Sequence, residues 1–243
     1  MKEAGRSLKT MSAIVLVATS VIACNKKKDN SSPVKNSLLQ VVHAAPNVGE
    51  LAVEINGKKT QHKVQYLNTQ KPYIAQQTEG DAAIKLMLGN NVAAEGKAAL
   101  ENNGNYTLFL YDTLKSNKIK FLLLKDNLSA PGTGKTNIRF LHLSPNTSPV
   151  DVDLFKGRDS IRLISASTYP GDAPNAAALS LFRSIASGDY RVKVKTKTGT
   201  EIKTLLDVPS LKLDAQRSIT LYLRGLTKGA ASAQLGLQTW QHK

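Results

Sequence analysis

The chain of 243 residues contains one cysteine, one tryptophan and few aromatics of any kind, 5 % in all. A single thiol excludes an intrachain disulfide framework, so stability must come from burial. It also excludes cysteine-rich metal sites. The scarcity of aromatics leaves little on which nucleic-acid bases would stack. Acidic residues are few, 18 against 33 lysines and arginines, for a formal net charge of +15. Motifs for nucleophilic or zinc hydrolases are missing too: G-x-S-x-G and H-E-x-x-H do not occur. No enzyme activity and no cofactor is therefore expected. No apolar run is long either; Met11–Ala23 falls short of the roughly 20 residues a membrane-spanning helix needs.

The one cysteine is informative by position. Lys2, Arg6 and Lys9 precede the apolar run, Cys24 ends it, and the polar stretch Asn25–Ser32 follows. Basic residues, a short apolar segment, then small residues form the layout of an export signal. Val21-Ile22-Ala23-Cys24 resembles the lipobox of bacterial lipoproteins, with Ile22 in place of the commoner small residue. That resemblance implies cleavage before Cys24, a signal peptide over 1–23, and acyl chains on the cysteine sulfur and its new amino group. Two or more such chains hold firmly, because each buried methylene contributes about 0.8 kcal/mol. It also implies a location in the cell envelope, at the outer membrane of a Gram-negative cell; the periplasmic or surface face stays open. Residues 24–37 read as the acylated cysteine and a solvated tether, with an extended reach of roughly 40 Å at about 3.3 Å per residue.

Beyond the tether, four blocks recur in the same order. Leu39–Asn47 matches Ile138–Asn146, Leu51–Ile55 matches Val150–Leu154, Gly80–Leu86 matches Gly188–Val194, and Tyr106–Leu110 matches Ile219–Leu223. Alternation of apolar and polar residues marks the blocks as strands with one wet face, as in Tyr190–Lys197. Turn pairs such as Asn56-Gly57 and Thr198-Gly199 separate them. Short strands so often interrupted predict an all-β chain of two consecutive antiparallel β-sandwich domains, 38–130 and 136–243, with a Pro/Gly-rich linker over 131–135. Ala176–Phe182 has the composition for a helical turn, but strand fits the repeat better and is expected.

Val41-Val42-His43-Ala44-Ala45-Pro46, its counterpart Phe140-Leu141-His142-Leu143-Ser144-Pro145, and Val150-Asp-Val-Asp-Leu-Phe155 resemble the domain-of-unknown-function family numbered 4397. The second copy, from Thr136 to Phe155, matches best. The first departs at Gly49-Glu50, where the family would carry a proline, and at Ala52, where it would carry Asp. The resemblance implies an immunoglobulin- or transthyretin-like sandwich of the kind found on exported envelope proteins, and no assigned activity.

Remaining motifs have modest readings. His43 and His142, each three residues before a proline, are expected to brace the turn that follows, not to bind metal. Asp151 and Asp153 leave one face of a strand, and a solvated face is expected. Gly132-Thr-Gly-Lys-Thr136 lacks the glycine a phosphate loop needs at position 129, where Ser129 stands. Asp112-Thr113-Leu114 and Asp159-Ser160-Ile161 fit a short O-glycosylation pattern, making Thr113 and Ser160 candidate acceptors. Residues 1–23 hold three basic residues and one acidic, so +13 remains after cleavage. Export argues against nucleic acid; acidic glycan, lipopolysaccharide or an envelope protein are the acidic partners to consider. The expected role is a lipid-anchored, non-catalytic binding or adhesion module with ligand loops at Ser144, Asn146, Tyr169 and Asp172. The alternative is a scaffold subunit of an envelope complex.

Overall fold

A computed structural model describes Met1 and residues 36–68, 74–77, 81–115 and 118–242. Val21, Ile22, Ala23, Cys24 and the tether up to residue 35 lie outside the described residues. The chain is nearly all β. Eight strands come first: β1 (Asn36–His43), β2 (Leu51–Ile55), β3 (Lys58–Val64), β4 (Ile74–Gln77), β5 (Asp81–Leu88), β6 (Asn91–Ala99), β7 (Asn105–Lys115) and β8 (Lys118–Lys125). Eight more follow: β9 (Lys135–His142), β10 (Val150–Lys156), β11 (Asp159–Ser167), β12 (Arg183–Ala186), β13 (Gly188–Thr198), β14 (Glu201–Leu213), β15 (Ser218–Arg224) and β16 (Gly236–Gln241).

These strands form four four-stranded sheets. The first eight give β4-β1-β7-β8 and β3-β2-β5-β6; the last eight give β12-β9-β15-β16 and β11-β10-β13-β14. The second pair repeats the strand order of the first. Pairing is antiparallel except at β1/β7 and β9/β15, which run parallel with Leu39 opposite Tyr106 and Ile138 opposite Ile219. Parallel neighbours need a crossover, and here the crossover is the opposite sheet of the same sandwich. Local chemistry sets the corners. Asn56 and Gly57 both take positive φ, 51° and 74°, the conformation of the two-residue hairpin turn that joins β2 to β3.

Each sandwich has its own core. Leu39, Val41, Val53, Leu86, Leu108 and Leu110 lie in the first; Ile138, Phe140, Val152, Val194, Leu221 and Leu223 lie in the second. A third cluster, Val42, Phe109, Tyr111, Leu122, Leu141, Tyr222 and Trp240 among it, draws on both. Alternate residues of one strand thus feed different cores: Val41 one, Val42 another. The sheets holding β1 and β9 pack back to back, and the result is four layers of sheet.

This corrects the expectation of one wet face per strand. It holds for the outer sheets, where Val192 and Val194 are buried between the partly or fully exposed Arg191, Lys193 and Lys195. It fails for the inner strands, since β15 is buried from Ser218 to Leu223 without a break. The expected strand at 176–182 is corrected as well. Residues Ala176–Leu179 form a short helix, α1. Asn175 Oδ1 accepts from Ala178 N at 3.1 Å and caps it, and an alanine run favours helix over strand. Ala176 and Leu179 pack on the third cluster, and β12 begins only at Arg183.

Candidate functional site

Where the inner sheets meet, apolar packing gives way to a buried polar network. Asp126, just past β8, and Arg139 in β9 pair at 2.7 Å, with side chains only 2 % and 1 % exposed. Thr107 Oγ1 donates to Asp126 Oδ2 at 2.6 Å. Arg139 Nε donates to Thr220 Oγ1 at 2.8 Å, and the same hydroxyl shares a hydrogen bond with His242 Nε2, also 2.8 Å away. His242 Nδ1 lies 3.6 Å from Asp126 Oδ2. The guanidinium lies over Phe182 at 4.6 Å and Phe109 at 5.8 Å. Trp240 Nε1 donates to Gln40 Oε1 at 3.0 Å, again from one sandwich to the other. Burial pushes the Asp126 carboxyl up, opposed by the Arg139 charge and by hydrogen bonds from Thr107 and Arg139. Burial likewise lowers the Arg139 guanidinium. Each charge is the other's main solvent.

Asp126 and Phe182 also border a cleft of about 970 Å³ along this seam. Residues 103–105 and 125–129 form one wall; 137, 177, 180–182 and 184 form the other. Its polar groups are mostly amides and hydroxyls. Asn127 Oδ1 accepts from the backbone and hydroxyl of Ser129, and Asn137 Nδ2 donates to Ser129 O at 3.1 Å. Lys125 pairs with Glu101 at 2.6 Å. Leu181, 73 % exposed, projects at the edge. Asn36, the first residue of β1, receives Asn103 N at its carbonyl, 2.7 Å, so the chain enters the fold at the cleft's rim.

The four expected ligand-loop residues are occupied in holding the fold. Ser144 is buried, donates to Gly225 O at 2.7 Å and contacts Thr147 Oγ1 at 2.6 Å. Asn146 brackets Thr227, donating to its carbonyl and accepting from its amide. Tyr169 and Asp172 reach the first sandwich instead. Lys120 binds Asp172 at 2.8 Å and Asp112 at 2.9 Å, and donates to Tyr169 Oη at 3.4 Å. Tyr111 Oη donates to Gly171 O at 3.0 Å; its phenol is pushed up to about 12, chiefly by burial, and stays a donor. The structure therefore brings Tyr169 and Asp172 together on Lys120, and ties Ser144 and Asn146 to the 225–227 turn. The candidate acceptors differ in access: Ser160 is exposed on edge strand β11, while Thr113 is partly buried beside Asp112, which has φ of 75°.

The histidines brace turns. His43 Nε2 meets Gly49 O at 3.2 Å, and His142 Nε2 meets Ser148 O at 3.3 Å. Burial lowers both, His43 to about 4. Among the described residues no cluster of three or more His, Cys, Asp or Glu is placed to hold a metal. Asp151 and Asp153 both bind Arg162, and Asp153 also receives Lys195 at 2.9 Å. Burial opposes ionisation of Asp153, but the hydrogen bonds from Arg162 and Lys195 outweigh it and hold its carboxyl low. The basic strand is partly neutralised: Arg191 makes two hydrogen bonds to Asp207, and Lys193 lies 3.8 Å from the same carboxylate. Gly132–Lys135 is a tight turn into β9, with no helix after it.

Sequence reasoning missed the seam. Its signal was Asp126 and Arg139, charged residues beside or within strands otherwise apolar at both parities.

Among solved structures, the chain is similar to a leucine-rich repeat protein from Bacteroides thetaiotaomicron. The two are 11 % identical with a TM-score of 0.21, over 76 % of this chain and 25 % of that one. The chain thus spans about a quarter of that protein's length. A search of curated proteins returns no match. Residues 37–153, from β1 through most of β10, match the family DUF4397, a domain of unknown function.

Proposed function

We propose that the protein is a lipoprotein of the bacterial cell envelope, anchored through Cys24, and that it acts as a non-catalytic binding or adhesion module built from two copies of one β-sandwich. The seam cleft carries this reading. Its lining is amides, hydroxyls and a few apolar side chains, and its two charged members, Lys125 and Asp126, are each paired. Such a lining suits reversible recognition on a rigid scaffold. The identical strand order of the two sheet pairs supports reading them as copies. The apolar run, the lipobox-like residues and the single cysteine support the anchor.

A scaffold role is the second reading, favoured by β14, a long edge strand with Ile202 65 % exposed. Unpaired edges recruit partner strands. Metabolic labelling with a fatty acid tests the anchor: wild type takes up label and stays in the membrane fraction, and Cys24→Ala does neither. Equal labelling of the two refutes it. Trypsin treatment of intact cells then distinguishes a surface adhesin, which is shaved, from a protein facing the periplasm.

A further inference from the structure

We propose that the seam cleft takes a neutral saccharide, an inference that rests on the binding-module reading above. Three observations carry it.

The first is charge. An anionic ligand needs an uncommitted cation, because a buried or half-buried charge without a partner is costly. The cleft has none to offer: Lys125 is held by Glu101 at 2.6 Å, and Arg139 behind the wall is held by Asp126 at 2.7 Å. Several basic residues elsewhere are also engaged. Lys120 binds two aspartates, and Lys195 and Arg191 each bind one.

The second is the hydrogen-bonding stock. Asn103, Asn105 and Ser184 line the cleft with side chains that bond to no group among the described residues. Asn127 uses only its carbonyl oxygen and Asn137 only its amide nitrogen. What is left is a mixture of donors and acceptors, and a sugar hydroxyl both donates and accepts.

The third is the apolar share. Leu128, Leu181 and Phe182 lie among these groups, and one face of Phe182 is already covered by Arg139. Carbohydrates alternate hydroxyl edges with C–H faces, so a site for them needs both kinds of surface. A cleft of about 970 Å³ is at the large end of small-ligand sites, room for more than one ring.

The sugar's source has two forms, a free oligosaccharide or the headgroup of a glycolipid.

The test uses the full chain in detergent micelles. Neutral hexose and N-acetylhexosamine oligosaccharides and their uronic-acid counterparts are titrated by calorimetry, as free sugars and as glycolipids in vesicles. Two variants accompany the wild type: Asn105→Ala, and Ser184→Trp, which fills the cleft from an exposed position of edge strand β12. Binding of a neutral sugar is expected, unchanged between low and high salt. It should weaken about ten-fold in Asn105→Ala, the worth of one hydrogen bond, and vanish in Ser184→Trp with the unfolding midpoint kept. Binding of the free sugar assigns the first source; binding only on vesicles assigns the second. Salt-sensitive binding of acidic sugars alone, indifferent to both variants, overturns the neutral cleft and leaves the binding module standing. Binding of no sugar, with one stoichiometric protein partner recovered equally by wild type and Ser184→Trp, overturns both.

Discussion

Removing one member of the buried ion pair at the seam tests the architecture most directly. Asp126→Ala would leave the Arg139 guanidinium, 1 % exposed, with no counter-charge and with Thr107 lacking its acceptor. Stranding a buried charge in this way costs about 3–5 kcal/mol. Arg139→Met strands the carboxylate instead and should cost a similar amount, although Asp126 has an escape. Its carboxyl is already pushed up by burial, so with the arginine gone it takes a proton. The double variant removes both charges and fills the space with apolar atoms. It should therefore lose far less than the sum, with a coupling of about 2 kcal/mol or more. Urea unfolding followed by tryptophan fluorescence is the assay. Trp240 is the chain's one tryptophan and sits in the cluster between the two sandwiches, so its signal reports the seam itself. A loss below about 1 kcal/mol for Asp126→Ala, or additive single losses, would refute the account of a desolvated pair binding two sandwiches together.

Three further outcomes follow from single contacts. His43 is neutral in the fold with its imidazole lowered from 6.5 to about 4, so unfolding takes up a proton between those values. Its contribution is complete above pH 6.5 and is lost as pH falls toward 4, by about 3 kcal/mol in all; His43→Gln should flatten that slope in pH-dependent denaturation, and an unchanged slope would count against it. Gly96→Ala would place a Cβ 2.2 Å from Phe121 Cζ, an overpacking worth about 1–3 kcal/mol; Phe121→Leu in the same chain should restore the melting temperature, and absence of rescue would show the clash is not the cause. Tyr111→Phe deletes the hydrogen bond to Gly171 O across the seam and should cost about 1 kcal/mol, read as a shift in urea midpoint; no shift would mean the 168–175 loop is held by Lys120 alone.

Some of the fold was legible before any coordinates. Tyr190–Lys197 alternates strictly, and the outer sheet it builds has one buried and one wet face. Asn56-Gly57 marked a turn and makes one. Other segments were misread for identifiable reasons. At Ala176–Phe182 the repeat argument for a strand competed with helix propensity and the Asn175 cap, and the local terms won. Val41-Val42, Phe140-Leu141 and Leu221-Tyr222-Leu223 are apolar at both parities, the mark of a strand buried on both sides: Val42, Leu141 and Tyr222 face the seam, and their neighbours face the core of their own sandwich. Ser144, Asn146, Tyr169 and Asp172 read as ligand-loop residues because loops on a rigid scaffold carry binding sites. Loop membership alone did not reveal that Ser144 and Asn146 clamp the 225–227 turn and that Tyr169 and Asp172 reach across to Tyr111 and Lys120.

The amino-acid sequence by itself determined that this chain is built of short, punctuated strands, since side-chain parity and turn residues act over a few positions. Tertiary structure alone decided that two sandwiches share a third core, that Asp126 and Arg139 meet inside it, and that a cleft opens beside them. Parity states which residues avoid water, but the partner that covers them is far away in the chain, and only the packed fold brings it there.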